Sequence, residues 1–102
     1  MKPGIDYIGV GVGVVLFDHT KKIFLMRRGP KSFNEGGAWA LPGGKVDFNE
    51  TLIQAAIRET KEEFGIDIQI TKHLTTYDHI IPDEHQHWIT NIFVARLFSE
   101  HQ

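Results

Sequence analysis

The chain has 102 residues, of which 41% are hydrophobic and 24% charged, and its formal net charge is −2. These values are typical of one small globular domain, and the negative charge is unfavourable for binding a nucleic-acid polymer, whose phosphates need a basic surface. Cysteine is absent, no apolar run of about 18 residues can span a membrane, and residues 1–10 do not resemble a signal peptide. We therefore expect a single cytoplasmic domain over residues 1–102.

The first part of the chain predicts a β-hairpin followed by a long loop. Residues 9–17, GVGVGVVLF, are rich in β-branched side chains and read as a buried strand. The polar residues 18–22 predict a turn, and residues 23–28 predict the returning strand. Residues 29–37, GPKSFNEGG, contain four Gly or Pro and predict a loop before a short apolar segment at 38–41.

Glycine alternates with valine at the start of the first predicted strand. Gly9, Gly11 and Gly13 lack the spacing of a dinucleotide-binding fingerprint, and no helix follows them. Alternating glycines allow another strand or a substrate base to approach the backbone closely. Of these two interpretations we favour close packing within the protein over contact with a substrate base.

Residues 50–64 predict the one long helix of the chain. Asn49 is a suitable N-cap, Glu50 at the first helical position complements the helix dipole, and Gly65 is suited to a left-handed residue after the last turn. Helical spacing places four residues on the side expected to enter the core: Ile53, Ile57, Thr60 and Phe64.

The opposite side of this helix is predicted to carry a cluster of acids. Glu59, Glu62 and Glu63 return to one face at offsets of three and four, beside Leu52, Ala55 and Ala56. Clustered carboxylates are suitable ligands for Mg²⁺, which prefers oxygen donors and often bridges protein carboxylates to phosphates. The alternative is an acidic face that is merely solvated.

The remainder of the chain predicts further strands, which makes the fold class α+β. Ile66, Ile68 and Ile70 alternate with polar residues in a half-buried strand, and residues 74–81 predict another. Residues 82–84 predict a loop, and residues 88–98 a final long strand. His85 and His87 have the spacing of a zinc pair but lack a third ligand nearby, so exposed loop histidines are favoured.

Residues 44–66 resemble the signature of the Nudix hydrolase family, the MutT-like pyrophosphohydrolases. The signature residues in this chain stand at the family's spacing: Gly44, Glu50, Arg58, Glu59, Glu62, Glu63 and Gly65. Thr60 occupies a position that is apolar in the pattern, where its methyl group can face the core. The resemblance covers nearly the whole chain and implies an α/β/α sandwich in which a mixed β-sheet carries the helix of the Nudix box.

The resemblance also implies a metal centre and catalytic roles. Mg²⁺, or Mn²⁺ in its place, would be bound by Glu59, Glu62, Glu63 and the backbone carbonyl of Gly44. Arg58 and Glu50 would orient this cluster, and Glu59 or Glu63 could take a proton from water. Since the family places its general base variably, Asp83 and Glu84 are further candidates.

Substrate contacts are expected outside the box. Arg27 could reach phosphates, although a surface role explains it equally well. His87 and Trp88 stand in a segment similar to one in MutT-like enzymes and could touch the nucleotide, although Trp88 suits a core position as well. Glu84 is a further candidate contact.

The implied reaction is metal-dependent hydrolysis of a nucleoside triphosphate to the monophosphate and pyrophosphate. The alternatives are cleavage of ADP-ribose or another nucleotide sugar, and a Nudix module that binds a nucleotide without cleaving it. The family normally continues into a further helix after the last strand, so we expect either a truncated C-terminus or a homodimer whose second subunit covers the sheet.

Overall fold

A computed structural model describes residues 1–17, 42–98 and the backbone of 23–24, 26–27 and 39–40. The predicted loop at 29–37 and the side chain of Arg27 lie outside the described part. Within that part, the chain forms one α-helix packed on a mixed β-sheet, which confirms the expected α+β class. No helix among the described residues is long and apolar enough to cross a membrane.

The first long strand lies at the centre of the sheet. Strand β1, Gly9–Phe17, has the bounds expected from its composition and pairs antiparallel with β2, Ile23–Phe24, which confirms the start of the returning strand expected at 23–28. The turn expected at 18–22 lies outside the described residues. Strand β3, Met26–Arg27, pairs with β4, Trp39–Ala40, in a separate two-stranded sheet. Strand β5, Gly43–Lys45, pairs antiparallel with residues 11–13 of β1 and was not predicted from the sequence, whose short apolar segment ends at residue 41.

Two long strands form the other half of the sheet. Strand β6, Ile68–Ile81, is continuous across the two strands expected at 66–70 and 74–81, with irregular register near His73. A short 3₁₀ helix, Pro82–Glu84, connects it to β7, Gln86–Leu97. Strand β7 pairs antiparallel with β6 and parallel with β1, so that the strand order is β2-β1-β7-β6.

The helix α1, Leu52–Phe64, begins later than the sequence predicted. Thr51 is the N-cap: its side chain accepts from the Gln54 N–H at 3.0 Å, and the Gln54 side chain accepts from the Thr51 N–H at 2.9 Å. This reciprocal capping box satisfies two donors at the helix start. Asn49 instead adopts a left-handed conformation in the preceding turn, and Glu50 lies before the helix. Gly65 ends the helix in the left-handed conformation, as expected.

The prediction of the core-facing side of α1 was wrong for Ile53 and Ile57 and is confirmed for Thr60. Ile53 and Ile57 are 47% and 37% exposed, whereas Ala55, Ala56 and Thr60 are buried. The side chain hydroxyl of Thr60 donates to the Ala56 carbonyl at 2.8 Å, which satisfies it within the helix. The small side chains allow the helix to lie close to the sheet, and the face that they share with the acids is the one that turns inward.

The core lies between this inward face and one face of the sheet. Its members are the fully buried apolar side chains of α1, β1, β6 and β7: Val12, Val14, Leu16, Ala55, Ala56, Ile68, Phe93 and Ala95. Because Ala55 and Ala56 are held against these strands, the acids one turn later on α1 are directed towards β5.

Candidate active site

Two glutamates of α1 reach the backbone of β5. The Gly43 N–H donates to Glu63 Oε1 at 3.0 Å. The carboxylate of Glu59 occupies the space beside Gly44 that a side chain would need, since a Cβ at Gly44 would overlap it. Glycine at 44 therefore leaves the room that the Glu59 carboxylate needs in this position, and the arrangement brings two carboxylates to one short stretch of backbone.

Arg58 organises the side chains around this stretch. Its Nε and Nη2 donate to the two oxygens of Glu50 at 2.6 and 2.9 Å, and Nη2 also donates to the Lys45 carbonyl at 3.0 Å. Its Nη1 donates to Glu59 at 3.2 Å and to Glu62 at 3.3 Å. One guanidinium thus connects the turn before the helix, strand β5 and two of the clustered acids.

The three clustered glutamates do not converge on a single point. Glu59 is 14% exposed and lies against β5, whereas Glu62 is 58% exposed and is held at the rim by Arg58. At 100° per residue, Glu62 lies further round the helix from the buried face than Glu59 and Glu63 do. No three acidic or histidine side chains among the described residues are gathered closely enough to form a metal site already assembled.

The charges of the cluster shift the pKa values of its members in opposite directions. Hydrogen bonds from Arg58 and from the Asp47 backbone lower the pKa of Glu50 to about 2. Burial raises the pKa of Glu59, and the negative charges of Glu63 and Glu62 add to that rise against the opposing effect of Arg58. Glu50 is therefore firmly ionised, whereas Glu59 carries a negative charge that its surroundings only partly offset.

The residues present fit a divalent cation. The carboxylates of Glu59, Glu62 and Glu63 and the backbone carbonyl of Gly44 are hard oxygen donors of the kind that Mg²⁺ and Mn²⁺ prefer. The missing side chain at Gly44 leaves room for the Glu59 carboxylate against β5. A cation beside Glu59 would also favour its ionised form, which burial and the neighbouring acids disfavour by raising its pKa.

A cleft of about 700 Å³ opens beside Gly43 and Gly44 on the face of the sheet that carries the glycines of β1. Its floor includes Gly11 and Gly13, and its wall is formed by alternate side chains of two strands, which share one face because the side-chain period of a strand is two. These wall residues are Tyr77, His79 and Ile81 of β6 and Gln86, Trp88, Thr90 and Ile92 of β7.

Of the substrate contacts expected from the sequence, some line the cleft and others lie elsewhere. Trp88 lines the cleft, but His87 points to the other face of the sheet, where its Nε2 lies 2.9 Å from Asp78 Oδ1. Asp83 and Glu84 lie in the 3₁₀ helix and do not line the cleft, although Glu84 accepts a hydrogen bond from Gln86 at 3.0 Å. The side chain of Arg27 belongs to the part that is not described.

The sequence reasoning missed several lining residues, namely Tyr77, His79, Gln86 and Thr90. The signal available was the period of two along 77–81 and 86–92, which places alternate residues on one face. The period of two shows which residues of one strand share a face. Only the pairing of Tyr77 with Thr90 and of His79 with Trp88 shows that the two strands contribute to the same face.

Comparisons with known proteins agree with the motif. The family model of the NUDIX domain matches residues 8–102. A protein of Proteus vulgaris named 8-oxo-dGTP diphosphatase is 42% identical over 76 residues, which cover 74% of this chain and 66% of that protein. A protein of Methanocaldococcus jannaschii named ADP-ribose pyrophosphatase is 34% identical over 79 residues, 78% of this chain and 46% of that protein.

A solved structure agrees with the fold. The crystal structure of a MutT NUDIX hydrolase from Burkholderia pseudomallei matches with a TM-score of 0.79 at 36% identity, covering 92% of this chain and 70% of that chain.

The chain spans less than two thirds of the length of the two curated relatives, with 66% and 46% of them covered.

Proposed function

This chain belongs to the NUDIX family, and we propose that it hydrolyses a phosphoanhydride bond of a nucleoside triphosphate, releasing the monophosphate and pyrophosphate. The observation that carries the proposal is the position of Glu59 and Glu63 against Gly43 and Gly44, two residues that also line a cleft large enough for a nucleotide. Members of the family generally need a divalent metal, and we propose Mg²⁺, with Mn²⁺ as a substitute.

In this proposal four oxygen donors would hold the ion: the carboxylates of Glu59, Glu62 and Glu63 and the carbonyl of Gly44. When bound, a divalent cation neutralises charge on the phosphate oxygens and makes water a stronger nucleophile at neutral pH. Glu59 and Glu63 would be the nearest donors because their carboxylates contact the backbone of β5, whereas Glu62 is held at the exposed rim.

The side chains of the box then position and deprotonate the attacking water. Water attacks phosphorus in line with the departing pyrophosphate, so that one P–O bond forms while the anhydride P–O bond breaks. Glu59 or Glu63 accepts the proton that this water loses. Arg58 keeps Glu59 in place, and Glu50 holds Arg58 through two short hydrogen bonds.

Two names among the relatives suggest different substrates. The Proteus vulgaris protein is named for an oxidised deoxynucleoside triphosphate, and the Methanocaldococcus jannaschii protein for ADP-ribose. We place triphosphates first because the triphosphate-named relative has the higher identity and the larger share of its own length covered. ADP-ribose is the second candidate, favoured by the archaeal relative.

A substrate panel tests the proposal. Purified protein with Mg²⁺ is incubated with the common nucleoside triphosphates, 8-oxo-dGTP and ADP-ribose, and phosphate is measured with and without added pyrophosphatase. We expect pyrophosphatase-dependent phosphate from a triphosphate. Turnover of ADP-ribose alone would move the assignment to the second candidate. The absence of turnover on every substrate with Mg²⁺ or Mn²⁺ would indicate a nucleotide-binding module.

We also propose a cytoplasmic homodimer. Several large apolar side chains are exposed near the N-terminus and the turn before α1, including Ile8 at 52% and Phe48 at 94%. Clustered exposed apolar side chains are characteristic of protein interfaces. Light scattering of the purified protein should give twice the chain mass, and a monomer mass would contradict the proposal.

A further inference from the structure

Strand β6 forms an outer edge of the main sheet. It stands at the end of the strand order β2-β1-β7-β6, so that among the described strands only β7 pairs with it. Its residues 71–80 are all exposed. The backbone groups of β6 that point away from β7 thus have no partner strand in the described part. A row of such groups is a template for pairing with another strand.

Only the first half of this edge carries features that hinder pairing. The register against β7 shifts on either side of Lys72 and His73, and the lysine adds a charge between the two shifts. Bulges and edge lysines are devices that keep an edge from pairing. From Thr75 to Ile81 the register is continuous, and this half contains no lysine, arginine, proline or glycine. The second half of the edge is therefore open to another strand.

The exposed large apolar side chains of β6 are arranged symmetrically about one residue. They are Leu74, Tyr77 and Ile80, and three positions separate Tyr77 from each of the other two. When a second copy of the strand is laid antiparallel with Tyr77 opposite Tyr77, Leu74 of each copy comes opposite Ile80 of the other. Opposite aromatic and apolar pairs stabilise antiparallel strands. An edge whose pattern matches its own reverse suits a twofold interface between identical chains.

The charge in the second half of β6 favours the same alignment. Asp78 is the one carboxylate there, and with Tyr77 on the twofold axis it lies opposite the uncharged Thr76. Alignment on Asp78 itself would place two carboxylates opposite each other, which is destabilising. Alignment on Thr76 or on the residue after Asp78 would place the carboxylate opposite an apolar side chain, Leu74 or Ile80. Tyr77 is therefore the best position for the axis.

We propose that the β6 edges of two copies pair antiparallel about a twofold axis at Tyr77, so that the two sheets join into one. This interface deepens the homodimer proposed above and depends on it, since it names the surface through which the copies meet. It is continuous with the exposed apolar segment before β1, because Ile80 lines one groove with Ile5, Tyr7 and Ile8. Tyr77 also lines the cleft, so each copy brings its own Tyr77 next to the cleft wall of the other.

Cysteine crosslinking tests the alignment, because the chain has no cysteine of its own. Opposite residues of an antiparallel pair have Cα atoms about 4.5–5.5 Å apart, which a disulfide can span. Oxidised Tyr77→Cys should therefore migrate as a covalent dimer in the absence of reducing agent. The matched control is His79→Cys, on the same face of the same strand, whose two copies would lie about 13 Å apart, too far for a disulfide. Crosslinking of His79→Cys alone, or of neither variant, would overturn the alignment.

Charges placed at the axis test the interface without a crosslink. Tyr77→Lys and Tyr77→Glu each bring like charges together, so the dissociation constant of either homodimer should rise about tenfold or more in sedimentation equilibrium. An equimolar mixture of the two variants brings opposite charges together and should recover the dimer, which a variant that merely failed to fold could not do. Phe48→Ser, in the exposed turn before α1, is the control and should leave the dissociation constant unchanged.

The outcomes separate this interface from the proposals on which it depends. A monomer mass for the parent protein would overturn both the homodimer and the β6 interface. A parent dimer that Tyr77→Lys leaves intact would overturn the β6 interface and leave the homodimer, and dissociation by Phe48→Ser would then place the contact at the turn before α1. Hydrolysis in the substrate panel is measured independently of mass, so none of these results bears on the hydrolase assignment.

Discussion

Arg58 donates through Nε and Nη2 to both oxygens of Glu50, at 2.6 and 2.9 Å, although eight positions separate them in the chain. The pair closes the turn between β5 and α1, because Glu50 lies before the helix and Arg58 lies in its middle. The same guanidinium reaches Glu59 and Glu62 through Nη1. The geometry of the acid cluster therefore depends on a contact with a residue outside the helix.

The Glu50–Arg58 pair should make stability depend on acidic pH. The pKa of Glu50 is lowered to about 2, below the value of roughly 4.3 expected in the unfolded chain, so its stabilising effect is present above pH 4.3 and lost as pH falls towards 2. Glu50→Gln should lower the melting temperature at pH 7, and the difference from the parent should shrink between pH 4 and pH 2. A difference independent of pH would contradict this account.

Divalent metal should stabilise the folded protein, and more so at neutral than at acidic pH. The pKa of Glu59 is raised by burial and by its acidic neighbours, so this donor takes up a proton at a higher pH than an ordinary glutamate does and then competes poorly for a cation. Millimolar Mg²⁺ or Mn²⁺ should raise the melting temperature at pH 7.5 and less at pH 5, with reversal by EDTA. No metal-dependent shift at pH 7.5 would count against the proposed ligands.

The inward face of α1 is tested by enlarging a buried alanine. Ala56 is fully buried, so Ala56→Leu forces extra volume into the core and should destabilise the protein by about 1–3 kcal/mol. Ile57→Leu, one residue further on at a position that is 37% exposed, should change stability by less than about 1 kcal/mol. Urea denaturation measures both. Equal costs would mean that the helix is rotated from the orientation described.

Glycine 44 should be required for catalysis. A Cβ at this position overlaps the Glu59 carboxylate, so Gly44→Ala must displace that side chain from β5. We expect kcat to fall about 100-fold, the order of effect seen when catalytic groups are misplaced by about 1 Å. Circular dichroism should show the fold retained, and parent-like kcat in a folded variant would contradict the role given to this backbone.

The sequence predicted those features that depend on local chemistry. Strand β1 follows from its β-branched residues, and the end of α1 follows from Gly65, whose left-handed conformation suits glycine. The spacing of Glu59 and Glu63 placed them on one helix face with Ala55 and Ala56. The start of the helix was misplaced because Asn49 and Thr51 are both good caps, and only the reciprocal bonds with Gln54 decide between them.

Other features depend on how distant segments meet. Ile53 and Ile57 were expected in the core because helical spacing defines a face but does not fix which face meets the sheet. The small volumes of Ala55 and Ala56 decided that question by allowing close approach. The cleft wall likewise depends on the pairing of β6 with β7, which brings His79 opposite Trp88. This pairing cannot be predicted from the sequence of either strand alone.

The central claim, that Glu59 and Glu63 at Gly43 and Gly44 form the catalytic centre, is tested most directly by charge removal at constant size. Glu59→Gln and Glu63→Gln are assayed for pyrophosphate release with Mg²⁺ on the best substrate of the panel, and Glu62→Gln, at the exposed rim, is the matched comparison. We predict that kcat falls about 10²–10⁴-fold in the first two variants and less in the third. Parent-like kcat in folded Glu59→Gln and Glu63→Gln would contradict the account.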